Sequence, residues 1–114
     1  MHEMAVAGSI FEIVEQEMMK HPGSKLLALD IRIGELSCVH EHSLRFCLEA
    51  ALGQTAWAKA EIRIAAEPIQ ARCARCDGSF TVVNYEFVCP GCGGVEVEVV
   101  GGKEVRLESL EIDA

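Results

Sequence analysis

Positive charge is scarce in this chain: ten Lys and Arg stand against eighteen Asp and Glu in 114 residues, a formal net charge of -8. The Lys and Arg are scattered singly, each commonly near a Glu, so no basic stripe offers itself to a nucleic-acid backbone. Long hydrophobic runs are missing as well; none approaches the roughly 18 residues of a membrane span. The first twenty residues carry four Glu, at 3, 12, 15 and 17, and no early Lys or Arg, which speaks against a secretory or transit leader. There is no nucleophile–base constellation and no phosphate loop, so an enzyme is not expected. What these absences leave is a cytosolic globular protein, half of it apolar and a quarter charged. In that compartment its six cysteines read as metal ligands or reduced thiols, not disulfides. The length suits one domain, or one with a small appendage.

Periodicity then divides the chain. Met4, Ala7, Ile10, Phe11, Val14 and Met18 recur at helical spacing, predicting an amphipathic helix over about 3–20 that HPG at 21–23 closes. Leu27, Leu29, Ile31 and Ile33 alternate with Ala28, Asp30 and Arg32, a strand that ends at Gly34. Leu44, Cys47, Leu48, Ala51 and Leu52 mark a second helix from Ser43, its cap, to Gly53. Ile62, Ile64 and Ala66 mark a second strand ending at Pro68, and Val105, Leu107, Leu110 and Ile112 a third. The alternation of that third strand changes parity between Leu107 and Leu110, which calls for a bulge near Glu108–Ser109. The fold class expected is α+β: two helices packed on a three-stranded sheet, with an inserted zinc-ribbon domain. Residues 1–70, completed by 103–114, form the α/β domain, and 71–102 the insertion. Leu29, Ile31, Ile62, Ile64, Ile10 and Val14 are the expected core. Cys38 and Cys47 read as small buried hydrophobes, His21 as a cation suited to a helix end, and Trp57 as core or interface.

The insertion carries the strongest chemical signal, CARC…CPGC: Cys73 and Cys76, then Cys89 and Cys92. Each C-x-x-C turn places two thiolates on one edge where amides can donate to the sulfurs. Two such knuckles joined by a hairpin make a tetrahedral thiolate site, which selects Zn2+. The intervening FTVVNYEFV reads as two short strands turning near Asn84. Spacing alone also admits an iron centre of rubredoxin type or a redox dithiol. No histidine lies within 71–102 to serve as an alternative ligand. A closed four-cysteine site holds structure and does no chemistry, and so small a module should unfold without its metal.

The other signal is the start, MHEMAV. A bulky residue at position two blocks removal of the initiator Met. The Met1 amine, the His2 amide nitrogen and the His2 imidazole would then form one connected chelate, with Glu3 close by. Nitrogen-rich tetragonal donor sets suit Ni(II) and Cu(II). Against this stands an ordinary terminal histidine, followed by an acid that favours a helix N-terminus.

MHEMAVAGSIFEIVEQE, IRIGELSCV at 31–39, SLRFCLEAAL at 43–52, the spaced cysteine pairs and the closing RLESLEIDA at 106–114 together resemble the HypA/HybF family. The matches run in order over essentially the whole chain. The resemblance implies a nickel metallochaperone for maturation of NiFe hydrogenase, and in some organisms of urease. It implies Ni2+ as cargo at the amino terminus, His2 being the main ligand with Met1 and Glu3 beside it. It also implies structural Zn2+ on Cys73, Cys76, Cys89 and Cys92. The partners implied are the GTPase HypB and the hydrogenase large-subunit precursor, with a homodimer left open and neither nucleic acid nor membrane involved. One stretch departs from the family pattern: an acid followed by proline is replaced by His40-Glu41-His42. Read as a solvated loop before the second helix, it could still lend nickel a further ligand. The rival reading, from another class, is a zinc-ribbon module for binding protein or nucleic acid. It draws on Arg72, Arg75, Phe80, Tyr85, Phe87 and Lys103, offset by Asp77, Glu86, Glu96, Glu98 and Glu104.

Overall fold

The computed structural model describes residues 3–113; Met1, His2 and Ala114 lie outside the described residues. In chain order the elements are α1 (Glu3–Met19), β1 (Lys25–Gly34), a 3-10 turn (Glu35–Ser37), α2 (Glu41–Leu52) and β2 (Glu61–Glu67). There follow β3 (Ile69–Cys73), β4 (Ser79–Val82), β5 (Val97–Gly101) and β6 (Val105–Asp113). Two three-stranded sheets result, ordered β2-β1-β6 and β4-β3-β5. The chain divides into two units, Met1–Arg32, Val39–Ala65 and Val105–Ala114 in the first, Ile33–Cys38 and Ala66–Glu104 in the second. Among the described residues no helix is long and apolar enough to cross a membrane.

In the first unit α1 packs against α2 and touches β6. The stripe Ala7, Ile10, Val14 and Met18 is buried on α1, and Leu44, Leu48 and Leu52 on α2, each set at the spacing of one helical face. Of the expected core, Leu29, Ile31, Ile62, Ile10 and Val14 are buried. Ile64 is half-buried, and Met4, at the start of the α1 stripe, is exposed. The inner face of β1 is not the simple alternation expected. Leu26 and Ala28 are buried and Leu27 is exposed, yet Leu29, Ile31 and Ile33 are buried too. The buried parity therefore switches between Ala28 and Leu29, and Leu26, not Leu27, enters the core. On the outer face Arg63 reaches Asp30, Glu61 and Glu111, Arg32 pairs with Glu108, and the Ser109 hydroxyl donates to Asp30. These contacts are exposed and individually weak, but together they tie all three strands. Past α2, Trp57 is half-buried with its ring centroid 5.9 Å from that of Phe11 on α1.

Helix α2 begins earlier than the sequence indicates. His40, in extended conformation, is the residue that caps it, and its carbonyl accepts the Leu44 N–H at 3.0 Å. Ser43 lies inside the first turn, so it is not the cap, and Glu41 and His42 are helical and not loop. Cys38 is exposed in left-handed conformation (φ 61°) and Cys47 is half-buried, so neither is the buried hydrophobe expected. The cause is local: Cys38 closes the 3-10 turn, a position governed by backbone geometry and not by burial.

The second unit has its own small core of Ile69, Ala71 and Val82, with Leu36, Phe80, Phe87, Val97 and Val99 packed on it. Its central strand β3 pairs antiparallel with β4 and with β5. Leu36 arrives because the segment after β1 joins this unit: the Gly34 N–H donates to the Glu104 carbonyl and the Leu36 N–H to that of Gly102, both at 2.9 Å. The stretch FTVVNYEFV does not make two strands. Its first half lies in β4, the chain turns at Asn84–Tyr85 as expected, and Glu86–Val88 carry no strand pairing. The hairpin that serves the first knuckle is β3–β4 instead.

Candidate metal centre

Cys73 ends β3, Cys76 follows in the turn towards β4, and Cys89 and Cys92 occupy the turn before β5. The two knuckles are built alike. In the first, the Cys73 N–H donates to the Gly78 carbonyl and the Asp77 N–H to the Cys73 carbonyl; in the second, the Cys89 N–H donates to Gly94 and the Gly93 N–H to Cys89. The repeat is therefore C-x-x-C-x-G: CARCDG and CPGCGG. The residue after the second cysteine is left-handed in both, Asp77 at φ 62° and Gly93 at φ 73°. The closing glycine lets the backbone pass the sulfurs, since a Cβ on Gly78 would stand 3.3 Å from the Cys76 sulfur and one on Gly94 3.2 Å from that of Cys92.

The four sulfurs lie within 4.8 Å of one another. Cys73 and Cys92 are 3.6 Å apart, as are Cys76 and Cys89. A tetrahedron with Zn–S bonds of about 2.3 Å has edges of about 3.8 Å, so the donor set and its spacing fit a four-coordinate metal. The electrostatics favour the thiolate at one corner. The Cys76 and Arg75 amides donate to the Cys73 sulfur, with help from the Cys92 and Cys76 thiols, and lower it to about 7 against the opposing effect of burial. At Cys76 the Gly78 amide acts in the same sense, but the neighbouring Cys89 and Cys73 sulfurs outweigh it and push the thiol up to about 11. One thiolate forms easily and the next resists while its charge goes unshared; a divalent cation removes that resistance by binding all four. With four protein donors no position is left for a substrate, so the centre is structural in type.

The candidate residues at the start of the chain are placed in part. Met1 and His2 lie outside the described residues, while Glu3 opens α1. Its carboxylate accepts the His40 N–H at 3.0 Å. That bond and another from its own N–H, aided by the charge of His40, hold it below the usual carboxylate range. Sequence reasoning missed this pairing, because nothing local marks a partner so distant along the chain. In the ribbon, Arg72 is paired with Glu98 and Asp77.

The model of one family, described as hydrogenase/urease nickel incorporation, metallochaperone, HypA, matches residues 1–112. The chain belongs to the HypA family. The family is one of nickel metallochaperones in hydrogenase and urease maturation, not of enzymes. Hydrogenase maturation factor HypA 2 of Bradyrhizobium diazoefficiens is 38% identical over 113 residues, covering 99% of this chain and 100% of its own. HypA of Geobacter sulfurreducens is 36% identical with the same coverage. The solution structure of the Ni metallochaperone HypA from Helicobacter pylori superposes with a TM-score of 0.72 at 27% identity, over 100% of this chain and 99% of that one. The two helices, the two sheets and the four-cysteine cluster are thus a HypA architecture.

Proposed function

We propose that this HypA-family chain carries Ni(II) at its amino terminus and delivers it during maturation of NiFe hydrogenase, or of urease where an organism has one. The Met1 amine, the His2 amide nitrogen and the His2 imidazole would make the chelate, with Glu3 beside them. The observation that carries this reading is the family match from residue 1 onward, which takes in the MHE start itself. The closed geometry of the cysteine cluster supports it from the other side, because a site without an open position is suited to scaffold and not to cargo. Cys73, Cys76, Cys89 and Cys92 would hold Zn2+ there and keep the second unit folded, 71–102 together with the flanking residues 66–70 and 103–104 and the segment 33–38, while the first unit would be the nickel domain. The working partners would be HypB and the large-subunit precursor in the cytoplasm, with the chain acting alone or as a homodimer.

Lability follows from the donor set. Ligands on a chain end can leave one at a time as a receiver's ligands enter. The amine must lose a proton, from a reference pKa of about 7.7–8.0, so affinity falls as pH drops through that range. Calorimetric titration of nickel into zinc-loaded, untagged protein tests the reading. One equivalent should bind, and His2→Ala or an added N-terminal tag should abolish or severely weaken it; unchanged stoichiometry and affinity in both would sink it.

A further inference from the structure

Helices α1 and α2 start beside each other, and one side chain fastens the two starts. Glu3 Oε2 accepts the main-chain N–H of His40 at 3.0 Å across 37 residues of sequence. His40 is the cap of α2, and its own side chain makes no capping hydrogen bond. In a capping box the third helical residue, a Glu or Gln, reaches back to the N–H of the cap. Here that third residue is Ser43, and the carboxylate that reaches the cap comes from the other helix.

We propose that Glu3 is a positioning residue: its carboxylate is committed to the His40 amide and is not a nickel ligand, and it fixes the root from which residues 1 and 2 reach the metal. The inference rests on the reading that nickel binds at that terminus. The physical gain is preorganisation. A chelate on a chain end must lose conformational freedom when it closes round an ion, and fixing the third residue removes part of that loss in advance. Glutamine at position 3 keeps an acceptor oxygen at the same reach but is a poor metal ligand, whereas alanine offers neither.

The test compares Glu3→Gln, Glu3→Ala and His2→Ala, each zinc-loaded and untagged. Amide exchange at His40 is followed by NMR without nickel, and nickel binding by calorimetry and X-ray absorption. Glu3→Ala should speed His40 exchange about tenfold. It should weaken nickel about threefold to tenfold with the donor atoms unchanged, and Glu3→Gln should restore most of both. Equal loss of nickel in Glu3→Gln and Glu3→Ala, with an oxygen donor gone from the spectrum, would make the carboxylate a ligand and overturn the proposal. So would His40 exchange, or nickel affinity, indifferent to Glu3→Ala. His2→Ala separates the two ideas: His40 exchange should stay slow while nickel is lost, and retained nickel there would refute the terminal site and not the clamp.

Discussion

A methyl group on Gly94 would stand 3.2 Å from the Cys92 sulfur and from Arg75 Cδ, and 3.4 Å from the Cys73 sulfur. Sulfurs held by a metal cannot retreat, so Gly94→Ala should cost about 1–3 kcal/mol of metal-bound stability. It should also speed metal loss to a chromophoric chelator; an unchanged release rate would show the knuckle has slack there. Glu3 gives a pH prediction. Its carboxyl is lowered from an ordinary value of 4.5 by the His40 amide, so the bond contributes fully above about that pH and is lost as pH falls through the folded value. Protection of the His40 amide should therefore drop on acidification below about 4.5, and in Glu3→Gln it should be flat over that range. The cysteines were legible because C-x-x-C is a local code whose hydrogen bonds close within six residues. The pairing of Glu3 was not, since only the packing of α1 on α2 brings its carboxylate to His40.

The elements were legible where one period ran unbroken, as in α1 and in most of α2. They were obscured where backbone geometry overrode periodicity. Leu26 and Leu27 are equally apolar, and the switch of parity at Ala28–Leu29 decides which of them is buried. Likewise β3 hid in the run between Pro68 and the first knuckle, because five residues are too few to show a period. Gly34 and Gly102 mark a close approach of two backbones: a Cβ on Gly34 would lie 2.4 Å from the Gly102 carbonyl carbon, and Gly102 is itself left-handed at φ 81°. Gly34→Ala must push backbone apart and break the bonds to Glu104 and Gly102, so urea denaturation should show a loss of about 2–4 kcal/mol. Gly8 is the control. It lies on an exposed face of α1 with nothing within 4 Å of an added Cβ, so Gly8→Ala should instead stabilise by up to about 1 kcal/mol.

At the scale of the whole molecule the two units rest on different forces. The first buries two helix faces and the inner face of a sheet, from Val14 and Leu29 to Leu44 and Leu48, and hydrophobic burial suffices for it. The second buries three residues in its apolar cluster and closes round four sulfurs, so a metal bound there would supply much of its folding free energy. If the four cysteines hold zinc as proposed, stripping it with a chelator should expose amides throughout 66–104 to exchange while those of α1 and α2 stay protected; uniform protection would show that the apolar cluster holds alone. The sequence by itself determined the α+β class, the four-cysteine cluster and the family, because periodicity, knuckle spacing and motif order are written along the chain. Tertiary structure alone decided that Gly34 and Leu36 serve the ribbon sheet, that Leu26 displaces Leu27, and that Glu3 answers to His40. Each of those depends on which distant backbone group arrives, and a hydrogen bond is sensitive to distance in space and indifferent to distance along the chain.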